Sequence, residues 1–147
     1  MIEASIQRLE WLCEAIPSRL IALEEDELSF KPTIDTWSKK EIIGHLIDSA
    51  AYNHQRFVRG QFEDVPTINY DTDAWNAHGY YNQIDSAQVI AFWTLYNRQL
   101  LALMRLIPEE KLTREVNTGG AGNHTIRFLI DDYVVHLEHH LHQVVDY

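Results

Sequence analysis

With 147 residues, of which 46% are hydrophobic and 23% charged, the chain can fill one core but is too short for two comfortable domains, so one domain over 1–147 is expected. A formal net charge of −10 with no Lys/Arg run to offset it argues against nucleic acid and anionic membrane surfaces as partners. The start, Met1-Ile-Glu-Ala-Ser5, lacks the basic-then-apolar pattern of a secretory signal, and no apolar run reaches membrane-spanning length, which makes the cytoplasm the expected compartment.

The stripe Ile2, Ile6, Leu9, Cys13, Ile16 and Leu20 has the spacing of one buried helix face and predicts a first helix into the mid-twenties. Pro17 should bend or break it, or open a second short helix. Cys13 is the only cysteine, so no intrachain disulfide forms, and on that stripe it reads as a core thiol rather than a nucleophile. The run Glu24-Glu25-Asp26-Glu27 reads as a solvated helix end and loop, and Lys31 to Trp37 as an extended connector.

Ser38 followed by Glu41 is a capping box, with Trp37 outside it as a staple. Ile42, Ile43, Leu46, Ile47, Ala50, Phe57 and Val58 then mark a second helix to about Gly60 or Phe62. The connection 63–83 is long and aromatic, with a short helix near Asp73 to His78; such a loop is usually functional or a lid. Asp85 with Gln88 caps a third helix carrying Val89, Phe92, Trp93, Tyr96, Leu100, Leu103 and Ile107, which Pro108 ends. Gly119-Gly120-Ala121-Gly122 reads as a flexible turn, and a fourth helix begins near Asn123 or Thr125. No strand is predicted. Four amphipathic helices with two long connections predict an all-α four-helix bundle.

Half of the eight histidines lie in seven consecutive residues, His136 to His142. His136 and His140 are one helical turn apart and border the apolar stripe, so both imidazoles can close on one cation. His139 and His142 fall toward the polar face. A bundle builds metal sites from side chains on facing helices, and His45 is the histidine of the second helix best placed to join them. It shares a line with Ser49, Tyr52 and Arg56. His54 lies nearer the middle of that helix's apolar face, and His78 and His124 fall in loops.

Three imidazoles would leave positions open for water or substrate, the arrangement of a catalytic site. Nitrogen ligands suit zinc or nickel foremost, with iron or manganese as further choices. Asp48 and Asp132 are each one turn from a proposed ligand and are candidates to orient an imidazole or add an oxygen. On spacing alone, a solvent-facing cluster at a helix C-terminus, favoured by the helix dipole, remains open.

Trp37-Ser38 leading into Glu41-Ile-Ile-Gly-His45-Leu-Ile-Asp48-Ser49, with Asn53 and Arg56, resembles the first motif of the DinB/YfiT-like superfamily. Asp132-Tyr133-Val-Val-His136-Leu-Glu-His139-His140 resembles the second, and Tyr70-Asp71 with Trp75 a middle segment of the YfiT-like branch. The resemblance implies an up-down-down-up four-helix bundle and a divalent metal held by His45, His136 and His140. It also implies homodimers, and members that are S-transferases of the bacillithiol or mycothiol type, using low-molecular-weight thiols, beside others regarded as hydrolases. Asn97 stands where YfiT-like members tend to have a histidine before an Arg-Trp pair, with Gln99 near the position of that Trp, and Gln143 follows the broader family.

The expectation is therefore a metal-dependent enzyme acting on a small molecule, of the thiol S-transferase type, with Asp48, Tyr52 and Arg56 as candidates for orienting substrate or transferring protons. The alternatives are a metal-dependent hydrolase activating water at the same ligands, and a non-catalytic metal-binding module. No motif for a nucleotide or flavin is present.

Overall fold

The computed structural model describes residues 2–120 and 122–147. Among these, the helices are α1 (Glu3–Ile21), α2 (Glu25–Ser29), α3 (Lys39–Arg59), α4 (Thr72–Gly79), α5 (Ser86–Leu106) and α6 (Ile126–Leu141). A hairpin of β1 (Glu115–Asn117) and β2 (Asn123–Thr125) precedes α6. The four long helices, α1, α3, α5 and α6, form a four-helix bundle; α1 and α3 each pack on α5 and on α6.

Side-chain pairs fix the helix directions. Ser5 donates to Asp131 and Arg8 to Glu138, so numbers rise together along α1 and α6, which run parallel. His45 meets His136, whereas Gly60 lies against Ile126, so α3 runs antiparallel to α6. Ile47 shares a crevice with Val89, and His54 bonds Tyr96, which makes α3 and α5 parallel. The order is up-down-down-up.

The predicted stripe of α1 is buried from Ile6 to Leu20, but the helix continues through Pro17. A proline inside a helix costs about 3 kcal/mol; Ile16 and Leu20, both fully buried on either side of it, offset that cost. Burial also pushes the Cys13 thiol up to about 11, in keeping with an inert core thiol. The acidic run is not a loop: Glu25, Asp26 and Glu27 open α2, where Glu25 receives bonds from Ser86 and Lys40, and Glu27 from Lys39.

The hairpin corrects the expectation of no strand. Its strands are too short to show alternation in sequence, and Gly119, at φ 82°, makes the turn possible. Ile68 and Pro66 exchange backbone bonds with Asn117, so the hairpin pins the long connection after α3. Arg114 adds bonds to the carbonyls of Gly60 and Glu63.

Asn97 is fully buried, donates to the Trp93 carbonyl and accepts a 2.7 Å bond from the Tyr133 hydroxyl. Asn97→Ala would leave that hydroxyl without its partner, and a loss of about 1–3 kcal/mol is expected. Urea unfolding checks this against Gln99→Ala, an exposed position; equal losses in the two variants would refute it.

Candidate metal centre

The start of α3 is held firmly. Ser38 Oγ accepts from the Glu41 amide at 3.0 Å, and the Glu41 carboxylate accepts from the Ser38 amide at 2.9 Å, the predicted capping box. Trp37 packs its ring 5.0 Å from that of His45, so the residue read as a staple also covers the imidazole. Gly44 has no side chain for a steric reason: a Cβ there would lie 2.1 Å from the Tyr81 ring. Tyr81 uses that space to donate its hydroxyl to Asp48.

Two turns into α3, His45 faces α6 and is 5% exposed. Its Nε2 stands 3.2 Å from Nε2 of His136. The His140 ring lies 4.7 Å from both the His45 and the His136 ring. One nitrogen from each of the three falls within 4.8 Å of the others.

These residues fit a metal ion by their own chemistry. Two nitrogens bound tetrahedrally at about 2.0–2.1 Å from zinc would be about 3.3 Å apart, close to the observed 3.2 Å. Burial pushes His45 down to about 3, reinforced by His136 and His140. Burial likewise lowers His136 to about 4, with His140 and His139 adding and Asp132 opposing. Both rings therefore stay neutral and keep a lone pair. His140 Nδ1 lies 2.9 Å from Gln143 Oε1; an Nδ1–H donated there leaves Nε2 free to ligate.

Gln143 is the contributor that sequence reasoning missed. Its signal was the i, i+3 spacing from His140 across the end of the helix. His45 Nδ1 has no hydrogen-bond partner among the described residues.

A polar cavity of about 230 Å³ opens beside His45 and His136. Ser49, Asn53 and Arg56 continue its wall along α3, Asp132 and Tyr133 along α6, and Asn69, Tyr70 and Thr72 close it from the long connection. That connection is thus a wall of the site.

Of the three residues expected to assist chemistry, only Arg56 lines this cavity. Tyr52 stacks on Tyr70 with ring centroids 4.0 Å apart, behind the wall. Asn53 lines the cavity in place of Tyr52, although by angle Tyr52 lies closer to the line of His45, Ser49 and Arg56; the difference lies in the Tyr52 side chain, which stacks on Tyr70. Asp48 is buried and accepts from Tyr81; its Oδ2 has no partner among the described residues, and burial raises its pKa.

The other histidines are not among the three that converge, although the His139 ring lies 5.0 Å from that of His140. His139 and His142 are exposed, and His142 stacks on Tyr147. His54 bonds Tyr96 at 3.0 Å. His78 lies in α4, the short helix expected near Asp73 to His78, and His124, expected in a loop, lies in β2.

The fold is shared with solved structures. YfiT from Bacillus subtilis, a probable metal-dependent hydrolase with an unusual four-helix bundle topology, superposes with a TM-score of 0.86 at 22% identity, over 97% of this chain and 82% of that one. The mycothiol-dependent maleylpyruvate isomerase gives 0.74 at 13% identity, over 96% of this chain and 60% of that one. The DinB-like protein YjoA of Bacillus subtilis gives 0.64 at 17% identity, over 96% and 87%. No curated protein matches the chain in sequence. The family model described as the DinB superfamily matches residues 1–144, and with the bundle and its histidine cluster now described, the chain belongs to the DinB superfamily.

Proposed function

We propose that the chain is a metal-dependent enzyme of the thiol S-transferase type, holding a divalent ion, zinc or nickel foremost, through His45, His136 and His140. The observation that carries this reading is the convergence of three imidazole nitrogens at the edge of a polar cavity. When bound, the ion supplies Lewis acidity that lowers the pKa of a coordinated thiol.

The chain's own residues do the rest. The cavity admits the thiol from the side of Ser49 and Asn53. Arg56 orients it, and Asp132, exposed on the cavity wall, is placed to take the S–H proton. The sulfur electron pair then forms the new C–S bond, and the leaving group departs with the electrons of the bond it breaks. Asp48 and Tyr52 act at one remove, by holding Tyr81 and backing Tyr70.

A metal-dependent hydrolase on the same ligands is the second reading. It is favoured by the polar wall of the cavity, which suits water as nucleophile, and by the fold shared with YfiT. Monochlorobimane and a panel of cellular thiols separate the two. Metal-dependent conjugation with at least one thiol is expected; conjugation with none, alongside metal-dependent ester cleavage, would replace the first reading with the second. A cobalt-substituted protein whose spectrum ignores thiols and azide would overturn both in favour of a non-catalytic module.

A further inference from the structure

One cation in the cavity wall has a carboxylate, Asp132, in the same cavity but forms no ion pair with it. Arg56 Nε and one terminal nitrogen both donate to the Ile68 carbonyl, at 3.1 and 2.9 Å. The other terminal nitrogen has no hydrogen-bond partner, and Arg56 enters no ion pair among the described residues. A neutral carbonyl holds the guanidinium in place without neutralising it. A half-buried charge in this state gains most from an anion that brings its own acceptors.

The anchoring also leaves one edge of the fork facing away from Ile68, with parallel N–H groups that match the two oxygens of a carboxylate. Among the described residues the wall contains no second cation, and Asp132 stands in the same cavity. A monoanion on Arg56 is balanced by the guanidinium charge, whereas a dianion such as phosphate would leave one negative charge unbalanced and be repelled more strongly by Asp132.

We propose that Arg56 is the specificity-determining residue of the cavity and binds a carboxylate of the substrate whose other end reaches the three histidines. This deepens the function proposed above and rests on it only for what happens at the metal end. Eleven residues of α3 separate His45 from Arg56, about 16 Å between their Cα positions. The arginine side chain leans back toward the helix N-terminus and shortens that span. The substrate is therefore elongated, with its carboxylate remote from the reacting atom.

The test has two arms that fail separately. In the first, ¹⁵N-labelled metal-free protein is titrated with butyrate and with butyramide, following the Arg56 Nε–H resonance. Butyrate is expected to shift it and to bind about tenfold more tightly than its neutral isostere, the scale of one charge-assisted pair. Arg56→Gln should abolish that preference, and Arg56→Lys should retain part of it. Equal binding of the two compounds by the unaltered protein, or an unchanged preference in Arg56→Gln, overturns the assignment.

In the second arm, ω-mercapto acids from 3-mercaptopropionate to 8-mercaptooctanoate, and their amides, are added to the cobalt-substituted protein. The acids should perturb the cobalt spectrum at lower concentration than the amides, with the largest ratio among the longer members. A butyrate preference with a cobalt spectrum deaf to every thiol would sink the thiol-transferase reading and leave Arg56 as the carboxylate site. Thiol binding with no acid-over-amide difference at any length would do the reverse.

Discussion

Alanine at His45, His136 or His140 is expected to reduce bound metal to a small fraction, whereas His139→Ala and His142→Ala retain it. The three rings meet in one cluster, and two remaining imidazoles cannot reproduce the geometry of three. His139 and His142 face solvent and are replaceable. Gln143→Ala should fall between these groups, with affinity weakened about 10- to 100-fold, because it removes the hydrogen bond that orients the His140 ring. Elemental analysis of protein purified without a histidine tag, paired with a thermal melt, measures all of this. The depleted variants should remain helical and melt at lower temperature through loss of the ion's mass-action contribution to stability, about 2.7 kcal/mol at a hundredfold excess over Kd. Metal retained by His136→Ala and lost by His139→Ala would mean that a different face of α6 forms the site.

Acid should weaken the metal-free fold well before it protonates the carboxylates. His45 in the folded protein is held down to about 3 by burial, while in the unfolded chain it titrates near 6.5. As pH falls below 6.5 the unfolded chain takes up a proton that the folded one refuses. The stability from this group is thus complete above 6.5 and drains away toward pH 3. By pH 5 the loss from His45 amounts to about 2 kcal/mol. His136, lowered to about 4, adds in the same direction. Glu41 and Glu138, whose pKa values are lowered from 4.5, contribute losses only at more acidic pH. Urea unfolding between pH 7 and 5 should show a steep slope in the unaltered protein and a shallower one in His45→Gln. Parallel slopes would show that His45 is not held neutral by the fold.

The same depressed values bear on the competition between protons and a metal for the imidazole nitrogens. For His45 and His136 that competition is displaced toward pH 3–4. Burial caused the displacement, and burial of a polar residue beside an apolar stripe is what periodicity records least well.

What the residues revealed most clearly was what repeats or caps. The stripes of α1, α3, α5 and α6 named the bundle, and Ser38 with Glu41, Asp85 with Gln88 and Thr125 at α6 mark helix starts by side-chain bonds. His136 and His140 were legible because i, i+4 is a property of one helix. Their meeting with His45 depended on the register between two helices, which the sequence constrains only through the apolar faces. Other features left weaker traces. The hairpin strands are three residues each, too few for a period of two. Pro17 read as a bend, a break or the start of a second helix because local propensity ignores the packing that lets α1 run through it. Tyr52 and Asn53 are neighbours on α3, and the stacking of Tyr52 on Tyr70, which no helical angle records, leaves Asn53 rather than Tyr52 on the cavity wall.

The separation of His45 from His136 along the chain has a consequence for persistence rather than for equilibrium. They stand 91 positions apart, and closing a flexible loop of that length carries an entropic penalty of about 4 kcal/mol on top of a constant. A disordered chain can offer a cation the local His136–His140 pair far more readily than all three rings, so the ion is poorly suited to seed folding. An ion held by all three rings, as proposed, would span α3 and α6, and those helices could not part without releasing it. Such an ion would act as a clasp present in the native state and absent from an early folding transition state, the kind of interaction that slows unfolding without hastening folding. Survival time against proteases that need the opened chain is where such a clasp registers.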